Sequence, residues 1–397
     1  MSRFKALGST LKSSLALATD RLLDGGGQTL PMTTERVLEP AFFNRLLAEH
    51  GTHETIRSAS VDRVDALDIT AVSSNCNNVL VRPHWRDGKG LPDTLFLKLP
   101  CAELSTRWFC NVIRVWQLEC RFFRAFAEDF PVRLPRVYAV TDHRSRFILL
   151  QENLRQDPTV RLFTNPDMLE GPDAATVEAC LDTFARIHAR YHGTPDRERE
   201  RRLPAMTHPF RSPVMSEISR FINVRAIAPC QRKAPGVFDE ATAALFRRAM
   251  DRWEELLTAW YQGPLTLVHG DSHLGNFFGD GDRMGMLDFQ AAHWGKGIRD
   301  VQYFLIDSLP AETLARQERD LVACYVEALA REGVALPLEE AWWQYRGFSF
   351  QTLMTIVVSL GLGPLTEKDH VMEEILRRAV AAVERVDFEG WLNALPR

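Results

Sequence analysis

Two aspartates and an asparagine share the stretch LTLVHGDSHLGNFFGDGDRMGMLDFQ, residues 265–290. Asp271 precedes Asn276 by five residues, and Asp288 closes the second of two apolar runs. A carboxylate can orient a hydroxyl and take its proton. Amide and carboxylate oxygens are hard donors of the kind magnesium takes, with waters and phosphate oxygens filling the rest of its octahedron. Further up the chain, Lys98 stands inside the apolar run TLFLKL and Glu119 inside an apolar helical stripe. A buried ammonium and a buried carboxylate are each costly alone, so the two are natural partners.

The elements that must position these groups follow from periodicity. Residues 64–72 and 79–83 read as strands flanking a polar loop, Ser73–Asn78, and a third strand covers 94–99. In that strand Leu95, Leu97 and Leu99 share one face, leaving Phe96 and Lys98 on the other. Residues 104–128 read as one helix whose stripe runs through Trp108, Val112, Val115, Glu119, Phe122 and Phe126. Strands at 135–142 and 146–152 follow, joined by a turn at 143–145. Beyond Glu152 the pattern turns helical, at 173–192, 239–261, 311–332, 338–361 and 367–386. LTLV reads as a short buried strand, and FFGDGDRMGMLDF as a hairpin turning at Asp280-Gly281. The fold class expected is α+β and bilobal, with a β-rich lobe over 31–152 and a mainly helical lobe over 153–397. Residues 1–27 read as an amphipathic accessory helix ending at Gly25–Gly27.

Composition narrows the partners. The chain has 397 residues and a net charge of −4, which gives no sign of nucleic-acid or polybasic membrane binding. No apolar run approaches the 18 or so residues of a membrane span. Seven scattered cysteines without a C-x-x-C pair read as reduced thiols of a cytoplasmic protein. Nothing in the sequence sets an oligomeric state.

VHGDSHLGNFF followed by MLDFQ resembles the aminoglycoside phosphotransferase and choline kinase-like superfamily, closest to its ecdysteroid kinase-like branch. The Asp271-to-Asn276 interval is that of the kinase loop H-R-D-x-x-x-x-N. The resemblance implies a protein-kinase-like fold and transfer of the ATP γ-phosphoryl group to a hydroxyl of a small molecule, with ATP and Mg2+ as cofactors. It implies Asp271 as the catalytic base, Asn276 and Asp288 as magnesium ligands, and Lys98 on the phosphates with Glu119 orienting it. Gln151, Glu152 and Asn153, at the crossover, would receive adenine through backbone groups. One departure stands out: where the family carries a glycine-rich phosphate loop, this chain has SSNCNN, leaving Asn75 and Asn77 as the donors.

Other readings use some of the same residues. Gly270-Asp271-Ser272 suggests a serine hydrolase with Ser272 as nucleophile, but no base or oxyanion donors accompany it. His269 and His273 have zinc spacing, although Gly270 argues against the helix such a pair needs. A catalytically impaired, kinase-shaped binding protein would rest on the glycine-free loop. His188 reads as a satisfied core histidine, His269 and His273 as braces of their loop, and Asp300 as a helix cap or loop brace. The acceptor side is assigned to 193–238, where nine Arg or Lys face four acids. That sign points to a neutral or anionic alcohol, of hydroxysteroid, hydroxy-acid or hydroxyacyl-thioester type, rather than a polycation.

Overall fold

The computed structural model describes residues 14–15, 17, 30–67, 75–86, 90–204, 210, 213–363 and 369–396. The helix expected over 1–27 lies outside them save for three positions, as do Ser73, Ser74 and residues 68–72 of the first expected strand. The chain divides into two compact units. One reaches to Val160 and takes back Asp288–Ala291; the other holds Arg161–Leu287 and Ala292–Arg397.

The first unit is built on an antiparallel sheet of five strands: β1 (Val61–Ala66), β2 (Cys76–Trp85), β3 (Leu95–Pro100), β4 (Val137–His143) and β5 (Arg146–Glu152), in the order β1-β2-β3-β5-β4. The pleat sends Leu95, Leu97 and Leu99 to one face, as the alternation predicts. There they join Val79, Val81, Ile148 and Leu150 under helix α1 (Pro40–His50), which contributes Phe43, Leu46 and Leu47. Lys98 is sent to the opposite face.

Two expectations for this unit need correction. The helix drawn over 104–128 is two helices, α2 (Leu104–Ile113) and α3 (Val115–Phe126), broken at Arg114 with φ 58°. Arg114 is exposed, and taking one exposed residue out of the helix leaves the spacing of the stripe on either side unchanged, so periodicity does not register the break. Trp108, placed on the stripe, is instead exposed. The end expected for the polar loop at Asn78 also moves, because β2 already begins at Cys76. Asn77 pairs with Leu99 and Asn78 with Lys98. Main-chain hydrogen bonds to β3 hold these residues extended whatever their side chains.

In the second unit the chain passes through β6 (Val160–Leu162) into α4 (Ala174–Tyr191), whose start is capped by Asp173 accepting from the Thr176 amide. Residues 213–233, part of the segment assigned to the acceptor side, form a helix, α5 (Pro213–Lys233), that is not among the helices expected from periodicity. Its apolar residues do not gather on one face, which hides it from a periodicity argument. The segment 239–261 is again two helices, α6 (Glu240–Asp251) and α7 (Trp253–Tyr261), separated at Arg252, whose guanidinium reaches the carbonyls of Leu392, Leu395 and Pro396. Next come β7 (Thr266–Val268), the hairpin β8 (Phe277–Asp280) and β9 (Arg283–Met286), and β10 (His293–Gly295), which pairs with β7. Five helices complete the unit among the described residues: α8 (Ile298–Ser308), α9 (Ala311–Arg331), α10 (Leu338–Leu362), α11 (Asp369–Arg385) and α12 (Phe388–Ala394). The middle of α10 is buried among α5, α8 and α11, and its few polar residues are hydrogen-bonded there, Gln351 accepting from Arg299 and Thr352 donating to Gln302. Among the described residues no helix is long and apolar enough to cross a membrane, and the seven cysteines are free thiols, six of them buried.

Candidate active site

In the first unit, Lys98 is the residue around which charges assemble. Its Nζ donates to both oxygens of Glu119, at 2.7 and 2.9 Å, and to Asp288 Oδ1 at 3.3 Å. Lys98 is 5% exposed and Glu119 fully buried. The sequence placed these two together from one strand lysine and one misplaced-looking helix carboxylate, and the structure joins them. Burial by itself lowers the Lys98 ammonium's pKa, but the Asp288 and Glu119 carboxylates outweigh it and raise the value above the ordinary range. Burial pushes the Glu119 carboxyl up, Lys98 pulls it down, and Asp288 adds to the rise. Two carboxylates thus share one ammonium, which leaves the cluster one cation short.

Asp288 is delivered to this cluster by its neighbour. The Phe289 ring stacks on Phe122 of α3 at 3.8 Å and 6°, and meets Phe130 edge-on. Phe122 lies one helical turn from Glu119, so the Asp288-Phe289 dipeptide sets its carboxylate at Lys98 and its ring on α3 together. The backbone there is strained: Asp288 has φ 64°, a left-handed conformation that costs a non-glycine residue about 1 kcal/mol. Gln290 completes the grip, with Nε2 donating to Cys76 Sγ at 3.5 Å and a hydrogen bond to Glu119. These aromatic contacts escaped the sequence reading, although Asp288-Phe289 seven and eight residues after the turn glycine Gly281 was their signal.

The remaining first-unit candidates are committed mainly to structure. Asn77 Nδ2 donates to Thr34 Oγ1 at 3.0 Å, and the Asn75 carbonyl accepts from Trp116 Nε1. Gln151 is buried; Glu152 accepts from Arg133 and from the Arg136 amide. Asn153 donates to Thr94 Oγ1 at 2.7 Å and accepts from the Arg155 amide.

In the second unit, the loop His269–Asn276 leaves β7 and turns at Gly270, whose φ of 85° suits glycine. Asp300 holds it from below. Its two carboxylate oxygens accept from the amides of His269, at 2.6 Å, and Gly270, at 3.0 Å, while its carbonyl accepts from Ser272 Oγ at 2.9 Å. Asp300 is therefore the loop brace, not the cap of α8, which is preceded by Gly297. Burial works against its charge. The hydrogen bond and charge of His188, then Arg299 and His269, overcome that and hold the carboxyl far below the usual range. His188 itself is buried and satisfied by Tyr325 and Asp300, as expected of a core histidine. His269 braces too: its Nδ1 accepts from the Asp271 amide, which leaves Nε2 to donate to the Leu287 carbonyl at 2.9 Å.

Asn276 Nδ2 donates to the Asp271 carbonyl at 2.6 Å. That bond commits the amide nitrogen to the loop, so the oxygen is the atom that would meet a cation. Asp271 is half exposed, and the buried Tyr303 hydroxyl interacts with its carboxylate. Tyr303 and Asp307, whose carboxyl burial pushes up to about 6, were not found from sequence because α8 is buried all round and no face of it stands out. Ser272 is fully buried with its hydroxyl given to a carbonyl, which removes the hydrolase reading. Among the described residues no three His, Cys, Asp or Glu gather as a metal cage, so His269 and His273 form no zinc site there.

A five-stranded antiparallel sheet with an ion-paired lysine on its third strand, a following helix that carries the glutamate, an HGD-x-x-x-x-N loop and an Asp-Phe pair are the parts of a protein-kinase-like α+β fold. The family model of the ecdysteroid kinase-like family matches residues 121–336, and the chain belongs to that family. Solved structures with a similar fold include a choline/ethanolamine kinase family protein from Mesorhizobium loti, at 13% identity over 89% of this chain and 97% of that one, with a TM-score of 0.49. An ethanolamine kinase from Plasmodium vivax is 8% identical over 92% of this chain and 94% of its own, also at 0.49. A choline kinase from Streptococcus pneumoniae is 11% identical over 81% and 94%, at 0.47. No curated protein matches the chain in sequence.

Proposed function

We propose that this protein is an ATP-dependent small-molecule kinase that transfers the γ-phosphoryl group to a hydroxyl of a neutral or anionic metabolite. The observation that carries the reading is the Lys98–Glu119–Asp288 cluster. A buried ammonium held by both oxygens of one carboxylate, with a second carboxylate beside it, is what a phosphate-binding lysine next to a metal-binding aspartate requires.

Each residue then has a defined task. Lys98, kept charged and oriented by Glu119, binds phosphate oxygens. Asp271 orients the acceptor hydroxyl and takes its proton. Asp300 keeps the Asp271 loop from shifting by holding the His269 and Gly270 amides, so that little reorganisation remains when the hydroxyl arrives. Asn276 and Asp288 would hold magnesium: the donor set is two hard oxygens, the number this ion takes from protein when phosphates supply others, and the cluster lacks one cation. Bound there, magnesium would neutralise charge developing on the transferred group. Adenine would be received by main-chain groups of Gln151–Asn153 other than the Glu152 amide and the Asn153 carbonyl, which are given to Arg136 and Gln156, and Asn75 and Asn77 would donate to phosphate.

The acceptor class now rests on different support. Of the nine basic residues in 193–238, Arg199, Arg201 and Arg202 pair with Asp196 or Glu198, Arg220 and Lys233 donate to carbonyls, and Arg225 lies over Phe221. Most of the basic excess is structural. The same pairing consumes Asp196 and Glu198, so the segment has few acids left for the amines of a polycation, and this scarcity is what favours a neutral or anionic alcohol. Initial rates of ADP release with kanamycin, choline, a hydroxysteroid and a hydroxyacyl thioester test the reading. The steroid or the thioester should be the best acceptor. Kanamycin or choline in first place would overturn the acceptor class alone, whereas failure to bind Mg·ATP would point to an impaired, ligand-binding relative.

A further inference from the structure

A cavity lies within the second unit, apart from the Asp271 loop. It has a volume of about 250 Å³ and is walled by His188, Lys296, Gly297, Ile298, Leu329 and Leu336, with Glu340 and Gln344 also in its lining. Lys296 is nine-tenths buried, and among the described residues its ammonium has no hydrogen-bond or ion-pair partner. A buried cation without a partner is costly and calls for an anion. Glu340 does not supply it: its side chain is exposed and accepts from Gln344 Nε2 at 3.0 Å.

Two further features have the same sign. The first residues of α8, an 11-residue helix, line the cavity, and a helix N-terminus carries partial positive charge. Gly297 lets the start of α8 pack tightly against the His188 wall, since a Cβ there would lie 2.6 Å from both His188 Nδ1 and the Tyr325 hydroxyl. Burial lowers the Lys296 ammonium's pKa, against the charge of Glu340, as expected of a group that has lost water without gaining a close partner. The rest of the lining is largely aliphatic, from Ile298, Leu329, Val334 and Leu336.

We propose that this cavity binds a small carboxylate with a short apolar body, its carboxylate on Lys296 and the start of α8 and its chain against the aliphatic wall. At about 30 Å³ for each water-sized group, the volume takes about eight non-hydrogen atoms. The cavity shares its His188 wall with Asp300, so the ligand would sit against the brace of the Asp271 loop.

Calorimetry on the full chain tests this with hexanoate, which has that size, against hexanamide, which keeps the shape and loses the charge. Hexanoate should bind the native protein, hexanamide should bind at least about tenfold more weakly, and Lys296→Met should weaken hexanoate by at least about tenfold while Lys296→Arg largely preserves it. Absence of hexanoate binding at millimolar concentration overturns the proposal. So does equal affinity for the amide, a comparison that needs no variant, and so does unchanged hexanoate affinity in a Lys296→Met protein that unfolds at the native temperature.

Discussion

Beneath the His269–Asn276 loop, one carboxylate accepts from two successive amides, and a few residues on, Asp271 presents another carboxylate half exposed. The two aspartates have opposite duties, and their substitutions should separate. Asp271→Asn removes the group that takes the proton, so kcat should fall by roughly 10²–10⁴ with the unfolding midpoint nearly unchanged. Near-native kcat in a folded variant would remove Asp271 from the mechanism. Asp300→Asn instead turns an amide group toward a backbone N–H and should lower stability by about 1–3 kcal/mol. The pH dependence has a definite sign. The Asp300 carboxyl is held below its unfolded value, so its contribution is complete above the unfolded pKa of about 4 and fades as pH falls below that. The gap in urea midpoint between the native protein and Asp300→Asn should therefore be wide near neutral pH and close in acid. A gap independent of pH would show that the carboxylate charge is not what stabilises the loop.

Between elements, the Lys98–Glu119 bridge ties β3 to α3, and Phe289 on Phe122 ties the segment after β9 to the same helix. The bridge is buried, so removing one partner is worse than removing both. Lys98→Met strands the Glu119 charge and should destabilise by about 3–5 kcal/mol, while the double variant Lys98→Met with Glu119→Gln should recover a large part of that. A double variant no more stable than Lys98→Met alone would show that the loss comes from packing rather than from the stranded charge. Sequence reading succeeded here because both members are the wrong type for their surroundings: an ammonium in a leucine strand and a carboxylate on an aromatic stripe. It failed at Arg114 and in 213–233, where one left-handed residue and a helix lacking an apolar face leave no periodic trace.

For the molecule as a whole, a nucleotide that binds the native state alone must stabilise it by mass action. Saturating Mg·ATP at about a hundred times its Kd should add about 2.7 kcal/mol, seen as a rise in Tm that ATP with a chelator does not reproduce. Asp288→Ala should lose most of that rise, and Asn276→Ala less, because Asp288 brings a full negative charge to the ion. An undiminished Mg·ATP affinity in Asp288→Ala, measured by calorimetry, would contradict the assignment of that residue. The family match spans residues 121–336, so Glu119 falls just outside it and Lys98 well before it, and their assignment stands on the ion pair itself.

The sequence by itself determined the alternation that turns Lys98 away from the leucine core, the Asp271-to-Asn276 interval, and a hairpin after Phe277, although its turn falls at Gly281-Asp282, one residue later than expected, with Asp280 paired to Arg283. These depend on neighbours within a few residues, and short-range sterics and pleat geometry fix them. Only the tertiary structure decided that Asp300 holds the loop from 30 residues away, that Ser272 is buried and spent, that the basic residues of 193–238 are mostly paired, and that Lys296 is left facing a cavity. Each of these is a question of which distant groups desolvate a polar atom and which supply its hydrogen bonds. Residue type and spacing do not carry that information; burial and partner are properties of the packed chain.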